Sequence, residues 1–172
     1  VFAEKEYFKG SASVSGFSLR NGSEAFWYEI TDKESYDGSK SFHFQKGSGS
    51  VPNSYGILIV YVPVKANTSY KYSMAVKAKS AYDMCSMIGW NYKQDLLPLG
   101  STCDWIYLTF DYENKGGDGS AEFQIVINGA AKDFWLDAVS FCEVLPDGSL
   151  GENAIPGGSF EGEGVIKKSS SY

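Results

Sequence analysis

Apolar and polar positions alternate with a period of two along much of the chain, as in strands with one buried face. In "SYKYSMAVKA" (69–78), Tyr70, Tyr72, Met74, Val76 and Ala78 share one side, and Lys71, Ser73, Ala75 and Lys77 share the other. "SFHFQ" (41–45) sets Phe42 and Phe44 against Ser41, His43 and Gln45, and "AEFQIVIN" (121–128) sets Phe123, Ile125 and Ile127 against Gln124 and Asn128. "YGILIVYVPV" (55–64) is a β-branched run that reads as a buried strand. "MCSMIGWNY" (84–92), "DWIYLTFDYE" (104–113) and "DFWLDAVSFCEV" (133–144) continue the series, with "GSASVSGFSL" and "AFWYEI" near the start. Turn clusters such as "YDGSKS", "KGSGSVPNSYG", "VKANTS" and "NKGGDGS" separate them, and helical periodicity is nearly absent. About eight to ten short strands at regular spacing predict an all-β fold, a β-sandwich or jelly roll of two antiparallel sheets.

Past residue 144 the pattern stops. "LPDGSLGENAIPGG" (145–158) gathers Gly, Pro and acidic residues, so 1–147 reads as the sandwich and 148–172 as a linker with the possible start of a second module. The 172 residues suffice for one domain with a substantial core. Beginning at Val1 and ending in "KKSSSY", the sequence reads as part of a longer protein with covalently linked neighbouring domains. A net charge of −6 argues against nucleic acid, whose phosphates need a positive face. No run reaches the ~20 apolar residues of a membrane span. Cys85, Cys103 and Cys142 have no metal-ligand spacing, which leaves one disulfide plus a thiol, or three reduced thiols.

Asp137 stands inside the apolar strand "AKDFWLDAVSFCEV" (130–143). A carboxylate there needs a partner. It reaches solvent at a sheet end, accepts backbone N–H groups, or holds a cation.

Four segments in order carry a family resemblance: "YDGSKSFHF" (36–44), "PVKANTSYKYSMAVKA" (63–78), "WIYLTFDY" (105–112) and "FWLDAVSF" (134–141). Together they resemble the bacterial carbohydrate-binding modules of families 4, 16 and 22. "ENAIPGGSFEGEG" (152–164) is similar to that family's opening "Asn-Leu-Ile-x-Asn-Gly-Ser-Phe-Glu", which suggests a tandem module beginning near Asn153; no such opening precedes residue 20. The resemblance implies a non-catalytic appendage of a secreted polysaccharide-active or cell-surface protein, extracellular or on a bacterial surface. It also implies a structural calcium held by Asp137 with an N-terminal glutamate, Glu4 or Glu6 being the nearest; Glu161 fits the opening motif, but for the next module. The family's second Asp is Ala138 here.

Sugars offer an apolar C–H face and a hydroxyl rim, so a concave sheet face with flat rings and amides suits them. If Cys85, Met87 and Gly89 face the core, then Trp90 and Tyr92 form an exposed stripe beside Gln94; the opposite register buries Trp90. His43, Gln124 and Asn128 supply rim groups, Trp27 a second platform, and Tyr55 a loop-borne ring. Trp105 and Trp135 are assigned to the core. β-Glucan, mannan or xylan are the expected partners. A structural or adhesive spacer, or a jelly-roll lyase or hydrolase, are the alternatives; hydrolysis needs two carboxylates ~5–9.5 Å apart, and the sequence shows no paired Glu on one strand face of the E-x-D or E-x-x-x-E kind.

Overall fold

The computed structural model describes residues 11–21, 26–46, 55–80, 84–89, 91–97, 102–128, 133–162 and 167–168, and at the ends of some strands the backbone alone. Two antiparallel sheets face each other, as the alternation requires. One has seven strands in the order β13 (Lys167–Lys168), β1 (Ser11–Val14), β2 (Phe17–Asn21), β5 (Tyr55–Val64), β10 (Gly119–Asn128), β7 (Met84–Ile88) and β8 (Tyr92–Leu97). The other runs β3 (Phe26–Thr31), β4 (Ser41–Lys46), β11 (Asp133–Val144), β6 (Thr68–Ser80) and β9 (Cys103–Asn114), with β12 (Leu150–Asn153) added to β11.

The inward sides are those the alternation marks: Phe42 and Phe44, Tyr70 to Ala78 by twos, and Phe123, Ile125 and Ile127 all lie in one buried cluster. Aromatic rings dominate it. Tyr72 lies against Phe123, Phe110 and Phe141, with centroids 5.3–6.4 Å apart. Each such ring stabilises the fold by about 1.5–3 kcal/mol through area removed from water. Ser15 and Gly16, both at positive φ, form the tight turn between β1 and β2.

Residues 150–161, expected to be linker, pack on the same sandwich. β12 pairs with β11. Asn153 ties the return: its Oδ1 accepts from Phe141 N and Ile155 N, and its Nδ2 donates to Ile155 O. A 3-10 turn over Pro156–Ser159 then delivers Phe160 into the core. There its ring lies 5.8 Å from both Phe17 and Phe42. A Cβ on Gly157 would come within 1.7 Å of Ser15 O, and one on Gly158 within 2.1 Å of Val139 O. Only hydrogen at these two positions lets the turn lie against both strands. Two apolar anchors, Ile155 and Phe160, do this without periodicity, which is why the pattern along the chain does not show it.

Candidate functional site

The outer face of the seven-stranded sheet is built by the residues that alternate away from the core. Register sets Ser18, Ile59, Gln124 and Met87 in one row, and Arg20, Ile57, Val126 and Cys85 in the next. Beside them, Tyr61 stands opposite Glu122. Tyr61 is 62% exposed, the most open large ring among the described residues. Its hydroxyl donates to Glu122 Oε2 at 3.4 Å, and Gln124 Nε2 donates to Glu122 Oε1 at 3.0 Å. An aromatic ring, a carboxylate and an amide therefore share one linked patch.

The expected site residues divide. Gln124 belongs to this patch and is nearly buried. Asn128 and Tyr55 stand opposite each other at the end of the same ladder; their side chains are outside the described set, as is all of Trp90. Strand β7 has the reverse of the expected register. Ser86 points inward, its Oγ 2.8 Å from the Tyr72 hydroxyl, and Ile88 is in the core, so Cys85 and Met87 face out. Inside the sandwich, the Tyr72 hydroxyl pairs with Ser86, so this buried serine is hydrogen-bonded. Tyr92 stands opposite Ile88. Its ring packs edge-on against Tyr72 and Tyr112, and its hydroxyl donates to Asp111 O at 2.7 Å. It braces the open edge of the core and is not an exposed platform. Gln94 stands opposite Ser86, on that same edge.

Trp27 and His43 lie on β3 and β4, in the sheet opposite that of Gln124; the Trp27 side chain is outside the described set. His43 is locked in place. Its ring stacks on Trp135 at 4.2 Å, its Nε2 is 2.5 Å from Asp133 Oδ1, and its Nδ1 is 3.4 Å from Glu29 Oε1. Trp135 is buried but on the outer side of its sheet, beneath His43, with Lys77 and Lys79 Nζ 5.6 and 5.5 Å from the ring centroid. Trp105 is also on that outer side, half-buried, rather than in the core.

Asp137 is fully buried. Its Oδ2 accepts from Tyr36 N and Asp37 N at 2.9 and 3.0 Å, and its Oδ1 from Ala138 N at 2.7 Å. Glu161 grips the same loop two residues on, accepting from Ser39 N, Ser39 Oγ and Lys40 N. Burial pushes the Asp137 carboxyl above its ordinary range; the three N–H groups pull it down, and the charge of Glu161 pushes it up again. The N–H groups of Lys40 and Ser39 hold Glu161 below its own range. Of the two acceptor positions on each Asp137 oxygen, one on Oδ1 is left over among the described residues. Among the described residues no three His, Cys, Asp or Glu side chains group as a metal site. Glu4 and Glu6 lie outside the described residues. A cation at Asp137 would have, among the described contacts, only the second acceptor position of Oδ1, beside the like charge of Glu161.

No family model and no curated protein matches this chain. Solved structures do resemble it. The xylan-binding CBM22-1 domain of Paenibacillus barcinonensis Xyn10C is 18% identical, with a TM-score of 0.51 over 84% of this chain and 98% of that one. A family 16 carbohydrate-binding module is 18% identical, with a TM-score of 0.51 over 70% of this chain and 85% of that one. TmCBM61, solved with β-1,4-galactotriose, is 10% identical, with a TM-score of 0.52 over 74% of this chain and 88% of that one. At these identities the likeness is one of fold: the chain shares the two-sheet antiparallel β-sandwich of these modules.

Proposed function

We propose that this chain is a non-catalytic module that binds polysaccharide outside the cell, as one part of a longer polysaccharide-active or cell-surface protein. The observation that carries the reading is the Tyr61 patch. An open ring lies on a strand face, and its hydroxyl meets a carboxylate that a nearly buried amide orients. The ring takes the C–H face of a pyranose, while Glu122 accepts from its hydroxyls. Gln124 fixes the carboxylate before the ligand arrives, which lowers the ordering cost of binding. The sandwich shared with modules described as binding xylan and β-1,4-galactotriose supports a polysaccharide partner, and β-glucan and mannan belong in the same screen.

Affinity electrophoresis in gels containing each soluble polysaccharide tests this. The wild type is retarded without releasing product, and Tyr61→Ala weakens binding by about tenfold or more, equivalent to ~1.4 kcal/mol. Product release would instead support a lyase or hydrolase. Free migration in every gel would leave a spacer.

Calcium is part of the proposal, with Asp137 and Glu161 as its carboxylates in place of the expected N-terminal glutamate. Bound there, the ion would neutralise two like charges that flank one loop. A chelator then lowers the melting temperature, because a ligand specific to the folded state is removed.

A further inference from the structure

The outer side of the six-stranded sheet carries a second aromatic surface, far from Tyr61 in the topology. On the edge strand β9, Trp105, Tyr107 and Thr109 alternate away from the core. The loop after β3 lays Tyr36 across them. Its ring is stacked on Tyr107 at 5.6 Å and 8°, and lies 6.0 Å from Trp105. Tyr36 is 45% exposed and Tyr107 50%.

Single exposed tyrosines need no explanation. Two nearly parallel rings held in place do, and the holding is elaborate: Asp137 takes the N–H groups of Tyr36 and Asp37, and Glu161 takes those of Ser39 and Lys40. Two carboxylates, one of them fully buried, thus fix a loop that carries an exposed ring. Hydrogen-bonding groups surround the shelf. The hydroxyls of Ser73 and Thr109 are 3.1 Å apart, and Lys77 Nζ lies 3.0 Å from Glu34 and 3.7 Å from Asp104. Its charges are internally paired, which favours a neutral polyhydroxy ligand over an ionic one. The Trp105 indole N–H is buried without an acceptor among the described residues, a donor left over at the shelf. The rest of the face bears Lys71, Asp111 and Asp133, and charged residues are depleted at the centre of protein interfaces.

We propose that Tyr36 and Tyr107, backed by Trp105, form a second saccharide platform on the sheet opposite Tyr61, so that one chain holds two glycan segments at once. Asp137 and Glu161 are its positioning residues. The inference rests on the glycan-binding reading and extends it to a second face.

The test uses affinity gels of soluble xylan, β-1,4-galactan, glucomannan and mixed-linkage β-glucan. The variants are Tyr61→Ala, the double Tyr36→Ala/Tyr107→Ala, and the triple. Linked sites reinforce each other, so each of the first two weakens retention by about tenfold or more, and the triple abolishes it. Tyr36→Phe retains binding, since stacking needs the ring. Glu161→Gln weakens binding when Tyr61 is already replaced, yet leaves it unchanged when the shelf is already removed; a merely structural role would lower both. If the double variant migrates like the wild type while Tyr61→Ala loses binding, the shelf is refuted and the first site stands. If the wild type binds none of the four, both readings fall. Sedimentation showing a wild-type dimer that becomes monomeric in the double variant would also overturn the shelf, by making it a self-contact.

Discussion

Asp137 is a buried acid whose described partners are backbone N–H groups, and this makes its titration informative. Its carboxyl is raised above the ordinary range by burial first and by Glu161 last. A raised acid contributes stability that is complete below its unfolded-state pKa and lost as pH rises through its folded value. Glu161 is lowered, so its contribution is present at neutral pH and lost as pH falls through its folded value. A bound calcium would favour the charged form of both and compete with protons. The melting temperature in calcium should therefore exceed that in chelator at neutral pH, and the gap should close as the buffer is taken down through the carboxylate range. Identical melting curves in calcium and chelator at pH 7 would end the cation proposal and leave the N–H groups as the complete answer to the buried charge.

At the scale of elements, the return from β12 to Phe160 is the instructive piece. A reading by periodicity makes 148–172 a linker, because "SLGENAIPGGSFEG" has neither a two-residue nor a helical repeat. It docks all the same, through Phe160 between Phe17 and Phe42 and through two glycines that permit contact with Ser15 and Val139. Phe160→Ala should cost about 3–5 kcal/mol in chemical denaturation, as expected for a fully buried ring. Gly158→Ala should cost about 1–3 kcal/mol, since the added methyl has to displace backbone. Were both variants as stable as the wild type, the segment would be an ornament and the sandwich would end at β11. Strand β7 teaches the converse. Its existence was legible, but its register was not: "MCSMI" offers Cys85 and Met87 to one side and Met84, Ser86 and Ile88 to the other, so both sides are largely apolar. A hydroxyl from Tyr72, 14 positions earlier in the chain, decides the matter.

For the whole molecule, both outer faces carry exposed rings, with Glu122 beside Tyr61 and the ion-paired Lys77, Glu34 and Asp104 beside Tyr36 and Tyr107. Net charge is −6, so a neutral glycan should be held by stacking and hydrogen bonds and not by ion pairing. Retention in the affinity gel should accordingly change little, by less than about twofold, as salt rises through the range that screens surface charges. A steep loss with salt would point to an anionic ligand and away from the Tyr61 patch. Alternation by itself determined that this chain is an all-β sandwich, and which sides of β4, β6 and β10 are closed, because a period of two is a local property of a pleated strand. It could not determine which strands share a sheet. Trp27 and His43 were grouped with Gln124 on one surface, and pairing across the chain put their strands in different sheets. Nor could it show that Tyr36, Trp105 and Tyr107 meet, or that Asp137 and Glu161 hold one loop, since these contacts join residues 69 to 122 positions apart. Strand order and loop docking arise from packing among distant segments, and only the folded chain brings those segments together.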